Sequence, residues 1–395
     1  MDPKTHSQPA IQSKSAKSLR DILAIAGGHL THDFYTAFLA ALLPTIIDTL
    51  SINLTTAGLL TSISQLPSIL NPVIGYLVDK RGAKYFVILA PAFTATFMSL
   101  IGLAPSFAAL AFLLFLSGIS STIFHASSPG LVASAADQGK GFGLSLYMAG
   151  GGLGRSLGPI IAIWAVGLWG LPGIYRLMFI GWGVSLFLAF QFRKISLTIS
   201  PRGSLRADIP IFRRFFLPLA LVLILRSALI ASLSTYLPVF MVESGAPLWM
   251  AGASLSILEI SGVSGALILG PISDRIGRSR ILNISMGASS ILIPIFLLLE
   301  GWLVFPTLVL LGFFSISTGT IFMALVQDNF QHHPATGNSI YILLSFLTNA
   351  LMLIVIGSLG DQLGLRTAYL ISAGAALCSI PAMRLLPSRR NPDPN

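Results

Sequence analysis

The chain is short of charge. Of its 395 residues only 10% are Asp, Glu, Lys or Arg, while 54% are hydrophobic. A soluble domain carries about 25% charged residues, so most of the outer surface of this chain has to face lipid. Cysteine is nearly absent. The single Cys378 excludes an intramolecular disulfide and a cysteine-based zinc centre, and its apolar surroundings predict a small buried residue. No Gly-x-x-x-x-Gly-Lys-[Ser/Thr] loop is present, so ATP is not expected to drive the protein directly. Neither His-Glu-x-x-His nor cysteine pairs mark a metal site. A Gly-x-Ser-x-Gly nucleophile turn and a soluble catalytic domain are also missing. The expectation is therefore a protein that is not an enzyme and has no cofactor and no metal. The formal net charge of +10 would suggest a nucleic-acid partner in a soluble protein. Here the basic residues sit in short loops, where they act as a topology signal instead. Residues 1–20 are polar, with Lys4, Lys14, Lys17 and Arg20. They lack the apolar core and cleavage site of a signal peptide and read as a cytoplasmic tail.

What is abundant is long apolar runs. A helix needs roughly 20 apolar residues to cross a bilayer. Twelve such spans are predicted, near 21–45, 55–78, 84–104, 107–133, 141–168, 173–192, 212–241, 248–272, 280–299, 304–327, 337–360 and 366–386. None shows the strict alternation of a barrel strand, so the fold class is an all-α membrane protein. The polar stretch 193–211, with Pro201, Gly203 and Pro210, divides a six-helix half (21–192) from a second one (212–386), and 387–395 forms a C-terminal tail. If both termini are cytoplasmic, the inner segments hold twenty of the 24 lysines and arginines. Only Arg176 and Arg366 fall outside, and Arg155 and Arg226 fall within spans. This asymmetry predicts both termini in the cytoplasm.

The two halves repeat one another. Gly75-Tyr-Leu-Val-Asp79-Lys-Arg81-Gly82 lies between spans two and three, and Gly270-Pro-Ile-Ser-Asp274-Arg275-Ile-Gly277 lies between eight and nine. Leu43-Pro44 is matched by Leu237-Pro238, and Thr122-Ile-Phe124 by Thr320-Ile-Phe322. Landmarks at nearly one offset predict two parallel six-helix halves related by pseudo-symmetry.

The repeated Gly-x-x-x-Asp-[Lys/Arg]-x-Gly loop, the twelve spans and the basic central linker resemble the major facilitator superfamily over nearly the whole chain. The resemblance implies that Asp79, Arg81 and Gly82, with Asp274 and Arg275, form a cytoplasmic gate that knits helix ends together. Within the superfamily, Gly150-Gly-Gly-Leu-Gly154-Arg-Ser-Leu-Gly158-Pro159 resembles the glycine-rich antiporter motif of drug/proton exporters. His29-Leu-Thr-His32-Asp33-Phe-Tyr35 with Phe124-His125 is similar to the fosmidomycin-resistance branch, whose members export a small phosphonate antibiotic. The chain departs from that branch at Ala126-Ser127, where Pro-Glu is expected, and at Arg155, where no arginine is expected.

An ionisable group at the bilayer centre costs about 2.5–3.5 kcal/mol even on the lenient insertion scale. Such groups therefore turn toward the bundle interior. His29 and Asp33 are four residues apart and share one helix face, and His32 is adjacent. A carboxylate with a neighbouring histidine in a poorly hydrated cavity is the chemistry of a proton-coupling site; Glu259 is the second candidate. The plainer reading of Asp33 is a fixed interhelical hydrogen bond. Laying Pro238 over Pro44 places Arg226 opposite His32. Arg226 keeps its proton and needs an anion, supplied either by Glu259 or by a bound substrate. Arg155 needs a cavity or an acidic partner, with Asp33 the natural one. Tyr35, Gln65, His125 and Asn349 are further candidate cavity residues. Gly150, Gly154, Gly158 and Pro159 read as helix-packing and hinge positions.

These features predict a proton-coupled secondary transporter in the cell membrane. The first expectation is a monomeric antiporter exporting a small anionic or amphiphilic compound. Proton symport of a small organic anion into the cell is the alternative. A non-transporting receptor or lipid-translocating protein on the same fold is a further one.

Overall fold

The structure is a computed structural model that describes residues 10–71, 73–74, 84–135, 140–193, 209–330 and 334–386. Helix dominates these residues. In chain order the helices are α1 (Ala10–Thr36), α2 (Phe38–Leu50), α3 (Leu54–Gln65), α4 (Lys84–Leu100), α5 (Phe107–Ala135), α6 (Lys140–Trp169) and α7 (Met178–Phe192). Beyond residues 194–208, which lie outside the described set, come α8 (Ile209–Ser234), α9 (Leu237–Glu243), α10 (Leu248–Ile276), α11 (Arg278–Leu298), α12 (Val304–Ser315), α13 (Thr318–Asn329), α14 (Pro334–Leu363) and α15 (Leu365–Ala382). Among the described residues, eleven helices are long and apolar enough to cross a membrane. The expected span 55–78 begins with α3 and the 3-10 turn Leu66–Leu70, then runs into residues outside the described set. Two expectations about the first and last spans change. α1 is helical back to Ala10, within the expected tail. Cys378 is exposed on α15, not buried, because it shares the outward face of that helix with Leu370 and Leu377.

The predicted repeat is visible in the backbone. Leu54 and Leu248 begin α3 and α10, 194 residues apart, and the same offset relates both ends of α6 and α14. α6 and α14 are each followed by a glycine with positive φ, Gly170 at 69° and Gly364 at 80°. A side chain there would be strained. The first span of each half is interrupted before its proline. α1 passes into α2 at Ala37 before Pro44, and α8 passes into α9 just before Leu237-Pro238. Proline lacks a backbone N–H and disrupts the helix on its N-terminal side.

The halves meet along two seams, α3 against α14 and α6 against α10. The seams are equivalent under the repeat. A Cβ on Gly58 of α3 would overlap the carbonyl of Leu353, and one on Gly252 of α10 would meet Ile163 and approach the carbonyl of Pro159. Gly58 and Gly252, and Leu353 and Pro159, are again 194 apart. Small residues let the backbones approach where a larger one would hold them apart. One end of the α3–α14 seam is further tied by Asp361. Its Oδ1 accepts the Leu54 N–H at 2.8 Å, and its Oδ2 accepts the Thr55 N–H and hydroxyl at 2.8 and 2.5 Å. A carboxylate at a helix N-terminus pairs with orphan donors and with the positive end of the helix dipole. Gly167 of α6 stands at the corresponding position of the other seam, so this latch belongs to one seam alone.

Candidate functional site

The close contact of α1 with α6 builds the site. A Cβ on Gly150, Gly154 or Gly158 would overlap the carbonyls of Ala26, Leu30 and Phe34 respectively. The three pairs advance by one helix turn each, so the two backbones run together for three rungs. The ring of His29 lies in the same groove against Gly151. This approach presses His29 and Asp33, one turn apart on α1, against Tyr147 and Arg155 on α6.

Asp33 is buried and sits at the centre of a charged cluster. Arg155 donates through Nη1 to Asp33 Oδ2 at 2.6 Å and through Nε to Glu259 Oε2 at 3.2 Å. His29 Nε2 stands 3.3 Å from Asp33 Oδ2, and His125 Nε2 stands 3.5 Å from Asp33 Oδ1. The other nitrogen of His29, Nδ1, lies 2.7 Å from the carbonyl of Tyr147. Four helices contribute: α1, α5, α6 and α10. The cluster opens into a cavity of about 220 Å³ lined by Asp33, Gln65, His125 and Arg155. Arg155 also lines a second cavity of about 270 Å³ between α6 and α10, with Gly152 and Val263. It therefore stands between the two spaces. His29, Asp33 and His125 offer ligand atoms within 4.8 Å of one another. Arg155 places its positive charge on the same Asp33 oxygen that faces His29, which opposes a second cation, so we read this group as hydrogen-bonding rather than metal-binding.

The Arg155–Glu259 contact crosses the α6–α10 seam. Its counterpart in the other seam is Asn349 Nδ2 donating to Gln65 Oε1 at 3.3 Å. Asn349 and Arg155 are 194 apart, as are Gln65 and Glu259. The repeat thus places one polar bridge across each seam, charged in one and neutral in the other.

Arg226 is buried in the second half and has a different setting. Its Nε donates to Thr318 Oγ1 at 2.7 Å, and its guanidinium lies 5.8 Å from the Phe322 ring centre. Tyr341 is on the same side, its hydroxyl donating to the Gly319 carbonyl at 2.8 Å. Among the described residues Arg226 faces no carboxylate. The pairing with Glu259 weighed above is overturned, since Glu259 is held by Arg155.

Other expected residues divide. His32 is buried, stacks on Phe124 and meets the Thr94 hydroxyl at 3.0 Å, so it packs behind the cluster. Tyr35 is enclosed. Its hydroxyl donates to the Leu177 carbonyl at 2.5 Å and accepts the Gly181 N–H at 3.2 Å, which removes it from the cavity. Asp79, Arg81 and Gly82 lie outside the described residues. In the second half Asp274 pairs with Arg278, not Arg275, and Arg278 Nε reaches Asp328 at 3.2 Å. Arg278 heads α11 and points back across α10, whereas Arg275 ends α10 on its exposed face. This staple joins α10, α11 and α13 within one half. Sequence reasoning missed Asp361, Thr318 and the stapling arginine Arg278. Asp361 and Arg278 were legible only as loop-end charges, and Thr318 as one hydroxyl among many.

The chain resembles transporters by sequence and by structure. It is 25% identical to the fosmidomycin resistance protein of Escherichia coli (strain K12), covering 97% of each chain. It is 23% identical to an uncharacterised MFS-type transporter of Bacillus subtilis (strain 168), covering 95% of each. Among solved structures, the nucleoside transporter NupG superposes with a TM-score of 0.72 at 16% identity, over 92% of this chain and 98% of that one. A bacterial homologue of the human lysosomal transporter Spinster superposes with a TM-score of 0.72 at 14% identity, over 96% of each. The Major Facilitator Superfamily profile matches residues 25–351, and the chain belongs to that superfamily of multi-pass membrane transporters, which are not enzymes.

Proposed function

We propose that this chain is a proton-coupled antiporter that exports a small anionic or amphiphilic compound by alternating access. The observation that carries the reading is the pair of unequal arginine sites, Arg155 at the junction of the halves and Arg226 within the second half. Arg155 is balanced by Asp33 and Glu259, while Arg226, buried and without a carboxylate among the described residues, is left for an anion from outside the protein. A buried charge without a partner is costly, so an anionic substrate entering beside Arg226, Thr318 and Tyr341 is favoured by that cost. Asp33 with its histidines supplies the proton site, and Arg155 links that site to Glu259 in the opposite half. On the proposed topology the Asp361 latch lies at the outer end, so this conformation is closed toward the outside. The resemblance to the fosmidomycin resistance protein supports a phosphonate-like compound as substrate and export as the direction. The chain acts as a monomer in this reading.

Purified protein in proteoliposomes tests it. With an acidic lumen, fosmidomycin should accumulate inside as protons leave. Accumulation only with an acidic exterior would establish the symport alternative. Uptake indifferent to either gradient would remove proton coupling altogether.

A further inference from the structure

The hydrogen-bonding requirements of His29 fix where a proton has to be. Its Nδ1 lies 2.7 Å from the Tyr147 carbonyl, and a carbonyl oxygen only accepts. Nδ1 therefore carries a hydrogen, and in neutral imidazole the other nitrogen is then a bare acceptor. That other nitrogen, Nε2, is buried with no hydrogen-bond partner, and its polar neighbour is Asp33 Oδ2 at 3.3 Å. Two acceptors facing each other without a proton repel in a buried site, where there is little solvent to screen them. The ring cannot turn away, because it stacks on Tyr147 at 3.9 Å between ring centres and rests against Gly151.

The other histidines do not carry this requirement. His125 Nε2 faces Asp33 Oδ1 at 3.5 Å, but no carbonyl claims its Nδ1 among the described residues, and its side chain is 32% exposed. A hydrogen on that Nε2 would point at Asp33 with no demand on the rest of the ring. His32 Nδ1 meets a hydroxyl, which donates or accepts as needed; its Nε2 is also buried without a partner, but no carboxylate stands at ion-pair distance from it among the described residues. Charge points the same way. Asp33 and Glu259 carry two negative charges against the one positive charge of Arg155, and a single added proton makes the buried cluster neutral.

We infer that His29 Nε2 and Asp33 Oδ2 share one proton in this conformation, with His29 locked by the Tyr147 carbonyl, and that this shared site, not Asp33 alone, is the proton site of the transporter. The inference rests on the proton-coupled reading only in its last clause. The groups facing the pair are His32 on α1, His125 on α5, Tyr147 and Arg155 on α6, and Glu259 across the seam on α10. When the pair loses its proton, the repulsion is relieved by moving α1 against α6, which shifts Asp33 relative to Arg155. Because Arg155 also holds Glu259 across the α6–α10 seam, such a movement would tie the proton to the junction of the halves.

The test is histidine nitrogen NMR of the full chain in nanodiscs at neutral pH, with the His29 signal assigned by its loss in His29→Gln and Asp33 followed by its infrared carboxyl band. The expected result is Nδ1 protonated throughout, together with either a doubly protonated His29 ring or a protonated Asp33. In Asp33→Asn, whose fold is checked by thermal unfolding, His29 should become a neutral ring protonated at Nδ1, and the protein should bind one proton fewer. A His29 protonated only at Nε2, or a neutral His29 beside an ionised Asp33, overturns the inference. Stoichiometric zinc binding lost in His29→Gln would overturn it too, by filling the same gap with a metal. The two readings fail separately. Gradient-driven transport by a protein whose pair holds no proton would leave coupling standing and remove this site. A proton on the pair without gradient-driven transport would do the reverse.

Discussion

Arg155 and Arg226 have the same chemistry, yet their surroundings give them opposite roles. Arg155 has two carboxylates and holds helices of both halves. Arg226 has a hydroxyl and an aromatic ring, and faces no carboxylate among the described residues. A hydrogen bond to a charged group contributes about 1.5–3 kcal/mol, so Arg226→Gln should weaken transport of an anionic substrate roughly 10- to 100-fold while leaving a neutral analogue little changed. Equal losses for both substrates in a proteoliposome assay would refute the anion assignment. Lysine keeps the charge of arginine but not its fork. Arg155→Lys should therefore lose the simultaneous contact with Asp33 and Glu259, and with it gradient-driven transport, while substrate binding measured by calorimetry persists. The charges themselves were legible in the sequence because ionisable residues are rare in apolar helices. Their pairing was not. Asp33 as the partner of Arg155 is expected from the proximity of the helices in this superfamily, but Glu259 is expected only beside Arg226, and the α6–α10 seam brings it to Arg155 instead.

At the scale of the helices, the determining feature is the glycine ladder of α6. Gly150, Gly154 and Gly158 read from the sequence as packing positions, and the structure supplies their partners, the carbonyls of Ala26, Leu30 and Phe34. Overpacking a tight contact typically costs about 1–3 kcal/mol. Gly154→Leu meets backbone rather than a yielding side chain, so it should lower the unfolding temperature in detergent and abolish transport by pushing Arg155 away from Asp33. A fully active Gly154→Leu protein of unchanged stability would show that the rungs are not in contact. Helix ends were less legible. Spans one and seven read as continuous apolar runs, and the structure interrupts them at Ala37 and at residues 235–236.

For the whole molecule the repeat gives two seams of one design with unequal chemistry. Arg155–Glu259 has its counterpart in Asn349–Gln65, and only the α3–α14 seam carries the Asp361 latch. Asp361→Asn keeps the shape but removes the charge at the α3 N-terminus. A loss of about 1.4 kcal/mol there corresponds to a tenfold shift in population, so the variant should favour the conformation open at that end. The exposed Cys378 makes this measurable. Cys378→Ser should be nearly silent, as surface substitutions usually change stability by less than about 0.5 kcal/mol. Spin labels at Thr49 and Leu363 on that background should then report a longer distance once Asp361 is replaced, and an unchanged distance distribution would remove the latch.

The sequence by itself determined the class, the two-half plan and the short list of buried charges. Each follows from a local rule: apolar length fixes a span, a repeated motif fixes duplication, and a charge in an apolar run has to turn inward. The tertiary structure decided the rest. Which arginine meets Glu259, that Tyr35 and His32 pack behind the site, that Cys378 faces outward, and that Arg278 rather than Arg275 closes the second-half staple all depend on helix rotation and on contacts between residues far apart in the chain. The apolar spans have little amphipathic pattern to announce their rotation, because lipid and protein interior are equally greasy. Only packing, through the glycine rungs and the polar bridges across the seams, sets it.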